Sequence, residues 1–299
     1  MGISQYIKDI GRGKDGARAL DRSQAADLFG QVLDGSVSDL EIGAFCLAMR
    51  IKGETAAEMA GFLDATYARL SSVPDNSLTT VVLPSYNGAR KLPVLTPLLA
   101  LLLAQRGAAV VIHGTATETS RVSSASVMQD LGVTARQQAT PVAAGEVALI
   151  PTEVLCPGLK RLLDVRRVVG LRNSAHSVVK LMNPCAGNAL VVGSYTHPEY
   201  ALSMAATFAL TGQHALLLRG TEGEPVADPR RTPQMAVFRN GQSEIVQAAQ
   251  AGSLVQVPHL PSPQANATAR YIQTVLNGEL PVPTAIALQV EHILRAIQA

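Results

Sequence analysis

From about residue 80 the chain alternates short apolar runs of strand type with runs of helix type: TTVVL, then PLLALLLAQRG, then AAVVIHG, then SSASVMQDLG. Few architectures admit this rhythm, because parallel neighbours need crossover connections and the crossover helices must cover the faces of the sheet. It predicts an α/β fold with a mostly parallel sheet flanked by helices. VALI at 147–150, ALVVGSY at 189–195 and HALLLRG at 214–220 extend the strand series. MAVF, EIVQ and LVQV read as shorter sheet segments, and helices near 263–277 and 282–298 close the chain.

The first seventy residues follow a different rule. Ser38 with Glu41, and Thr55 with Glu58, have the three-residue spacing of a capping box; each precedes an amphipathic run, and Gly53 stops the first of these two. The opening is therefore a small helical domain, residues 1–72, followed by a larger α/β domain, residues 73–299, with 71–79 around Pro74 as the linker. With 299 residues, 47% of them hydrophobic, the chain can bury a substantial core.

Charge and cysteine content narrow the function classes. A formal net charge of +2 gives no global attraction to nucleic acid, so any such attraction rests on clustered cations. Cys46, Cys156 and Cys185 form no CxxC pair and suggest neither a zinc site nor a disulfide framework. The MGISQYIKDIGRGK start lacks the apolar core of a signal peptide, and no apolar run reaches the roughly 18 residues of a membrane span. A soluble, cytoplasmic protein with no membrane partner is expected, for which the NAT acceptor at 266–268 has no meaning.

In an open parallel sheet ligands gather outside the carboxyl ends of strands. That rule brings LPSYNGARK (83–91), IHGTATETSR (112–121) and RGTEGEP (219–225) to one edge, either as a composite site or as plain turns. GRGKDG at 11–16 matches GxGxxG formally, but it follows the helix-like IKDI and lacks a preceding strand, so it reads as a turn. Lys8, Arg12, Lys14 and Arg18 around it are diluted by Asp9, Asp15 and Asp21. No Ser/His/Asp order, metal-spaced histidine pair or carboxylate dyad stands out; His113 and His176 lie beside the site loops as packing residues or as site residues.

The denser signal is cationic. Between positions 160 and 180 lie Lys160, Arg161, Arg166, Arg167, Arg172 and Lys180 against one acid, Asp164. Arg90, Lys91 and Arg121 from the edge loops add to them. The run is either a solvated face or one side of a basic groove.

GSVSDLEIGAFCLAMRIKGETAAEMAGFLDA resembles the N-terminal helical domain of the anthranilate phosphoribosyltransferase superfamily, with KGET as a specific marker. PSYNGAR, IHGTATETS and LRNSAHSVVKLMNP follow where those enzymes have a pyrophosphate loop, a lysine-histidine-glycine-asparagine-arginine block and the anthranilate segment. The resemblance covers almost the whole chain. It implies a substrate pocket left at Ser85, Asn87, Gly88, His113, Gly114, Thr119, Ser120, Arg172 and His176, of which Arg172 matches the family's anthranilate-contacting arginine.

The departures fall on the phosphate and metal chemistry. The glycine run is reduced to Gly88; Val94, Leu95, Thr96 and Pro97 stand where the family has asparagine-x-serine-threonine. Only His113 and Gly114 match in the next block, where Ile112, Thr115 and Ala116 replace its other members. The aspartate-glutamate pair that holds magnesium falls on Pro225 and Val226, with Glu222 and Glu224 nearby as candidate substitutes. A metal supplies several kcal/mol of charge stabilisation, so its loss implies a large loss of rate.

IGRGKDGARALDR, RIKGE, PSYNGARK, LRNSAH, HPEY and RGTEGE resemble the YbiB branch of this superfamily more closely than the enzymes. That resemblance implies a non-catalytic, sequence-tolerant binder of single-stranded DNA or RNA, a homodimer joined through the helical domains, and no cofactor. The nucleic acid would meet Arg90, Lys91, Arg121, Lys160, Arg161, Arg166, Arg167, Arg172 and Lys180, with Tyr86 stacking on a base. The alternative is a magnesium-dependent transfer of phosphoribose to anthranilate or a related aromatic amine. A third reading is a small-ligand sensor using the pocket around Arg172 and His176.

Overall fold

The computed structural model describes residues 2–13, 15–251 and 260–298. Lys14 and the LVQV segment, 254–257, lie outside the described residues. The chain opens with α1 (Ser4–Ile10), α2 (Arg22–Asp34), α3 (Asp39–Lys52) and α4 (Ala56–Tyr67). Both expected capping boxes form: Ser38 and Thr55 each exchange hydrogen bonds with the glutamate three residues on, and a third box joins Asp21 to Gln24. Gly53 ends α3 at φ +79, a conformation that a side chain would strain. Phe29 stacks on Phe62 at 4.6 Å with Phe45 edge-on to both, which locks α2, α3 and α4 around one aromatic centre.

The strands are β1 (Thr80–Pro84), β2 (Val110–His113), β3 (Val147–Ile150), β4 (Ala189–Tyr195), β5 (Ala215–Thr221), β6 (Glu224–Ala227), β7 (Met235–Arg239) and β8 (Gln242–Gln247). Among the described residues they form one sheet of order β3-β2-β1-β4-β5-β7-β8, with β6 paired to β5. The pairings from β3 to β5 are parallel; β7, β8 and β6 join antiparallel. This is the expected mostly parallel sheet, with an antiparallel edge supplied by MAVF and EIVQ. The strand β6 falls in a segment read from sequence as loop. Glu222 and Gly223, at φ +51 and +90, make the paired left-handed turn that type I′ hairpins require, so RGTEGEP folds back on itself.

Helices α5 (Thr96–Gln105), α6 (Ser124–Asp130), α7 (Thr152–Leu155), α8 (Pro157–Val169), α9 (Ala175–Leu181), α10 (Pro198–Thr211), α11 (Ala265–Leu276) and α12 (Thr284–Gln298) complete the layers. Both faces of the sheet are apolar, as a doubly covered sheet requires. Val111, Ile150, Ala215 and Leu217 join the core beneath α2–α4 and α8–α10, while Leu83, Val110, Ile112, Val192 and Leu218 join the one beneath α5, α11 and α12. Helices α8 and α9, from the middle of the chain, pack on α2 and α4, so later sequence extends the helical layer. The linker is tied down: the N–H of Val73 donates to the Pro184 carbonyl at 2.8 Å.

Cys46 and Cys156 are buried and Cys185 is half-buried, all free; burial pushes the Cys46 thiol up to about 11 and Cys185 up to about 12. Such thiols are packing groups rather than nucleophiles. Among the described residues no helix is long and apolar enough to cross a membrane.

Candidate functional site

Strand order reverses at β1, which lies between β2 on one side and β4 on the other. The crevice at this switch point is the place where an open α/β sheet receives ligands. The loop after β1, the loop after β2 and the β5–β6 hairpin tip all meet there.

The interior of the β1 loop closes on an acid. Glu224, 1% exposed, accepts from the Gly88 N–H at 2.7 Å, from Thr96 Oγ1 at 3.0 Å, from Ser124 Oγ at 3.2 Å and from Ser85 Oγ. Gly88 makes this approach possible. It stands at φ +65, and a Cβ there would lie 2.5 Å from the Val122 carbonyl oxygen. Gly114 is equally constrained, at φ +137 with the Ser85 carbonyl 2.6 Å from any Cβ.

The loop's outer donors meet a second acid. The N–H groups of Arg90, Lys91 and Leu92 donate to the Glu222 carboxylate at 3.2, 2.8 and 2.9 Å. The side chains of Arg90 and Lys91 point the other way: both are exposed, and among the described residues neither makes an ion pair.

Neither glutamate fits a divalent cation. Each carboxylate is already surrounded by N–H and O–H donors, whose positive ends would face a metal. Among the described residues no three His, Cys, Asp or Glu side chains cluster as metal ligands. Glu222 and Glu224, read from sequence as candidate metal substitutes, are hydrogen-bond acceptors of the loop instead.

The expected cations divide. Arg166 meets Glu118 at 2.6 Å, Arg172 at 3.3 Å and Arg121 at 3.4 Å, while Arg121 also reaches Glu222 at 3.5 Å. Three arginines from three segments thus converge on one carboxylate beside the Arg90–Lys91 loop. Their charges hold Glu118 below the usual carboxylate range, although its burial acts in the opposite direction. Between 160 and 180 the sequence offers Asp164 as the single acid; the counter-charges Glu118 and Glu222 come from elsewhere in the chain.

Other members of the cationic set do not share that mouth. In an α-helix, at about 100° per residue, Lys160 and Arg161 are turned well away from Arg166. Lys160 pairs with Asp164, and Arg161 donates to the Leu33 carbonyl at 2.6 Å, at the end of α2. Arg167 is exposed, 3.5 Å from Asp164. Lys180 lies inside, donating to the Ser194 and Gly223 carbonyls at 2.8 Å; burial pushes it down to about 8. It clamps the hairpin tip to β4 and lines the cavity between sheet and helices, apart from the Arg90–Lys91 loop's exposed cations.

Tyr86 is likewise internal. At 4% exposure it packs edge-on to His176 with ring centroids 5.6 Å apart, and burial pushes its hydroxyl up to about 12. No ring face is open to a base, which corrects the stacking expectation. His113 is fully buried at the end of β2, and burial lowers it to about 4. Thr119 and Ser120 lie exposed in a turn between Glu118 and Arg121, and neither lines the cavity around Arg172 and His176.

A cavity of about 530 Å³ opens between the sheet edge and the helical layer, lined by Arg50, Glu54, Arg172, His176, Lys180 and Tyr200 among others. His176 is neutral there: burial, then the Arg172 and Arg166 charges, lower it to about 3. Asn87 links cavity and loop, accepting from Arg172 at 2.6 Å and donating to the Glu222 carbonyl. Sequence reasoning passed over Glu118, Ser124 and Arg50 and read Thr96 only as a departure from the family's asparagine-x-serine-threonine; the serine pair after Arg121 was the one hint of the hydroxyls that serve Glu224.

Residues 4–69 match the helical bundle domain of the glycosyl transferase family. The chain is 38% identical over 304 aligned positions to the uncharacterized protein YbiB of Escherichia coli (strain K12), covering 99% of this chain and 94% of that one. It is 31% identical to anthranilate phosphoribosyltransferase of Nocardioides sp., over 68% of this chain and 61% of that enzyme. Among solved structures, anthranilate phosphoribosyltransferase from Thermus thermophilus superposes with a TM-score of 0.76 at 22% identity, covering 98% of this chain and 89% of that one. The Saccharomyces cerevisiae enzyme in complex with PRPP and Mg gives 0.72 at 14% identity, covering 99% and 88%.

Proposed function

Because the chain belongs to the YbiB-type branch of the anthranilate phosphoribosyltransferase superfamily, we propose that it is a non-catalytic, sequence-tolerant binder of single-stranded DNA or RNA, acting as a homodimer through its helical domains. One observation carries this reading. The β1 loop turns its backbone donors inward onto Glu224 and Glu222, and its Arg90 and Lys91 side chains outward beside the arginines gathered at Glu118. A loop built this way has committed its Gly88, Arg90, Lys91 and Leu92 N–H groups to protein carboxylates, and it presents cations to a polyanion.

Recognition then rests on phosphates rather than bases, since Tyr86 is buried and the exposed groups at the mouth are cations. The strand would run past Arg90 and Lys91 towards Arg121, Arg166 and Arg172. Neutralising about five phosphates of a single strand gives a slope of log affinity against log salt near about −3.5. A salt titration with unrelated sequences tests it: similar affinities and a steep slope are expected, and a flat titration overturns the reading.

The 530 Å³ cavity beside Arg172 favours a second reading, a phosphoribosyltransferase acting on an aromatic amine with magnesium. Incubation with phosphoribosyl pyrophosphate, magnesium and candidate amines discriminates the two. Pyrophosphate release well above background reverses the ranking.

A further inference from the structure

Three successive N–H groups pointing into one concavity are a backbone device for holding an anion. In this protein the concavity of Arg90, Lys91 and Leu92 is filled from within by the Glu222 carboxylate. The hairpin tip does not need that carboxylate. Gly223 supplies half of the turn, and Lys180 anchors the tip through the Gly223 carbonyl at 2.8 Å. Glu222 itself sits at φ +51, a left-handed conformation that glycine would hold with less strain. Its side chain is 16% exposed, at the edge of solvent, so it can swing out without unpacking the core.

We propose that Glu222 is a built-in competitor for a phosphate-group site formed by the N–H groups of Arg90, Lys91 and Leu92. A phosphate enters when the carboxylate leaves, and Arg121, 3.5 Å from Glu222, then faces the incoming anion. The exchange selects by charge. A phosphodiester carries one negative charge, like the carboxylate it replaces, whereas a phosphomonoester or pyrophosphate carries more. The ligand class is therefore a multiply charged phosphate group, either the phosphorylated end of a nucleic-acid strand or a free small phosphate. The first source rests on the nucleic-acid reading above; the site itself does not.

An intramolecular ligand competes at an effective concentration of about a millimolar or higher, so removing it should tighten the site visibly. Wild type, Glu222→Gly and Glu222→Gln are titrated with inorganic pyrophosphate, without added metal, and with a short strand bearing a 5′-phosphate or a 5′-hydroxyl. Glycine suits the left-handed position, so the hairpin should hold; glutamine keeps the side-chain shape and provides a second test. At least about a tenfold gain in pyrophosphate affinity is expected for Glu222→Gly, with the amide resonances of Arg90, Lys91 and Leu92 shifting on binding. Equal affinity of wild type and both variants for pyrophosphate overturns the proposal.

A gain for pyrophosphate accompanied by a gain for the 5′-phosphorylated strand but not for the 5′-hydroxyl strand assigns the site to strand ends. A gain for pyrophosphate with both strands unchanged supports the site and assigns it to free phosphates. If no strand binds any form of the protein while pyrophosphate binding still rises in the variants, the nucleic-acid reading fails and the site stands.

Discussion

The buried carboxylate of Glu224 accepts a hydrogen bond from the backbone N–H of Gly88 at 2.7 Å, joining a hairpin strand to a loop more than a hundred positions earlier. The glycine allows the approach and the acid gives the loop its shape. The segment that resembles a phosphate cradle is thus folded around an internal anion, and this contact separates its architecture from its inherited position at the end of β1.

Removing that anion should be costly. Glu224→Ala leaves the Gly88 N–H and the hydroxyls of Ser85, Thr96 and Ser124 without their shared acceptor in a buried site. A loss of about 3–5 kcal/mol in unfolding free energy is expected, since several buried neutral donors lose their partner together at about 1–3 kcal/mol each. Glu224→Gln keeps one acceptor and should lose less, about 1–3 kcal/mol. Urea midpoints at constant slope measure both.

Glu118 restrains the arginines it gathers. Arg121, Arg166 and Arg172 all lie within 3.4 Å of its carboxylate, which any bound phosphate must rival. Glu118→Gln should tighten nucleic-acid binding and steepen the salt slope by about 0.7, the share of one further phosphate on a single strand. Weaker binding would show that Glu118 positions the arginines more than it competes for them.

Arg90 and Lys91 carry the loop's outward charge. Changing both to alanine should weaken binding to all sequences alike and make the salt slope shallower by about 1.4. Their N–H donors to Glu222 belong to the backbone and persist in the variant, so the fold should be retained. Unchanged affinity would place the loop outside the bound strand's path.

The parallel sheet was legible because its strands are apolar on both faces and separated by helical runs. The caps at Ser38 and Thr55 were legible because a capping box is local. The site was legible only in part. Arg90 and Lys91 are exposed as a turn requires, but Glu118, Glu222 and Glu224 meet their partners through tertiary approach, which linear spacing does not encode. Lys160, Arg161 and Arg166 look like one cluster in sequence, yet the turns of α8 send them apart. Tyr86 looks available because it sits in a polar loop, but that loop folds inward.

Two buried histidines set an acid limit on stability. His113 and His176 are lowered by burial to about 4 and about 3, so both are neutral in the folded protein and ordinary in the unfolded chain. Below about pH 6.5 the unfolded chain binds protons that the folded protein refuses, and stability falls with pH by about 1.4 kcal/mol per unit for each histidine. For His113 the fall ends near pH 4. Replacing His113 with leucine should therefore add stability relative to wild type progressively as pH drops through this window, by about 3 kcal/mol across it. Urea denaturation at several pH values checks this; a constant difference would mean that His113 is protonated in the fold.

The proposed homodimer makes its own demand on α3. Leu40, Leu47 and Ile51 are 84%, 48% and 58% exposed, and their spacing of seven and four residues sets them on one stripe. Beside them Ile7 and Ile10 of α1 and Ala44 and Ala48 of α3 line an apolar groove of about 260 Å³. A two-fold partner laid along this stripe would cover surface that a monomer leaves in water, and a stable interface needs about 1,200–2,000 Å² in total. Changing Leu47 and Ile51 together to glutamate places like charges face to face in such an interface without touching the Phe29, Phe45 and Phe62 centre beneath. Light scattering should then report half the wild-type mass with unchanged circular dichroism. If the groove continues across the two-fold, nucleic-acid affinity should fall with the mass while the Arg90–Lys91 contribution per protomer stays. A variant that keeps the wild-type mass would rule out the α3 stripe as the joining surface.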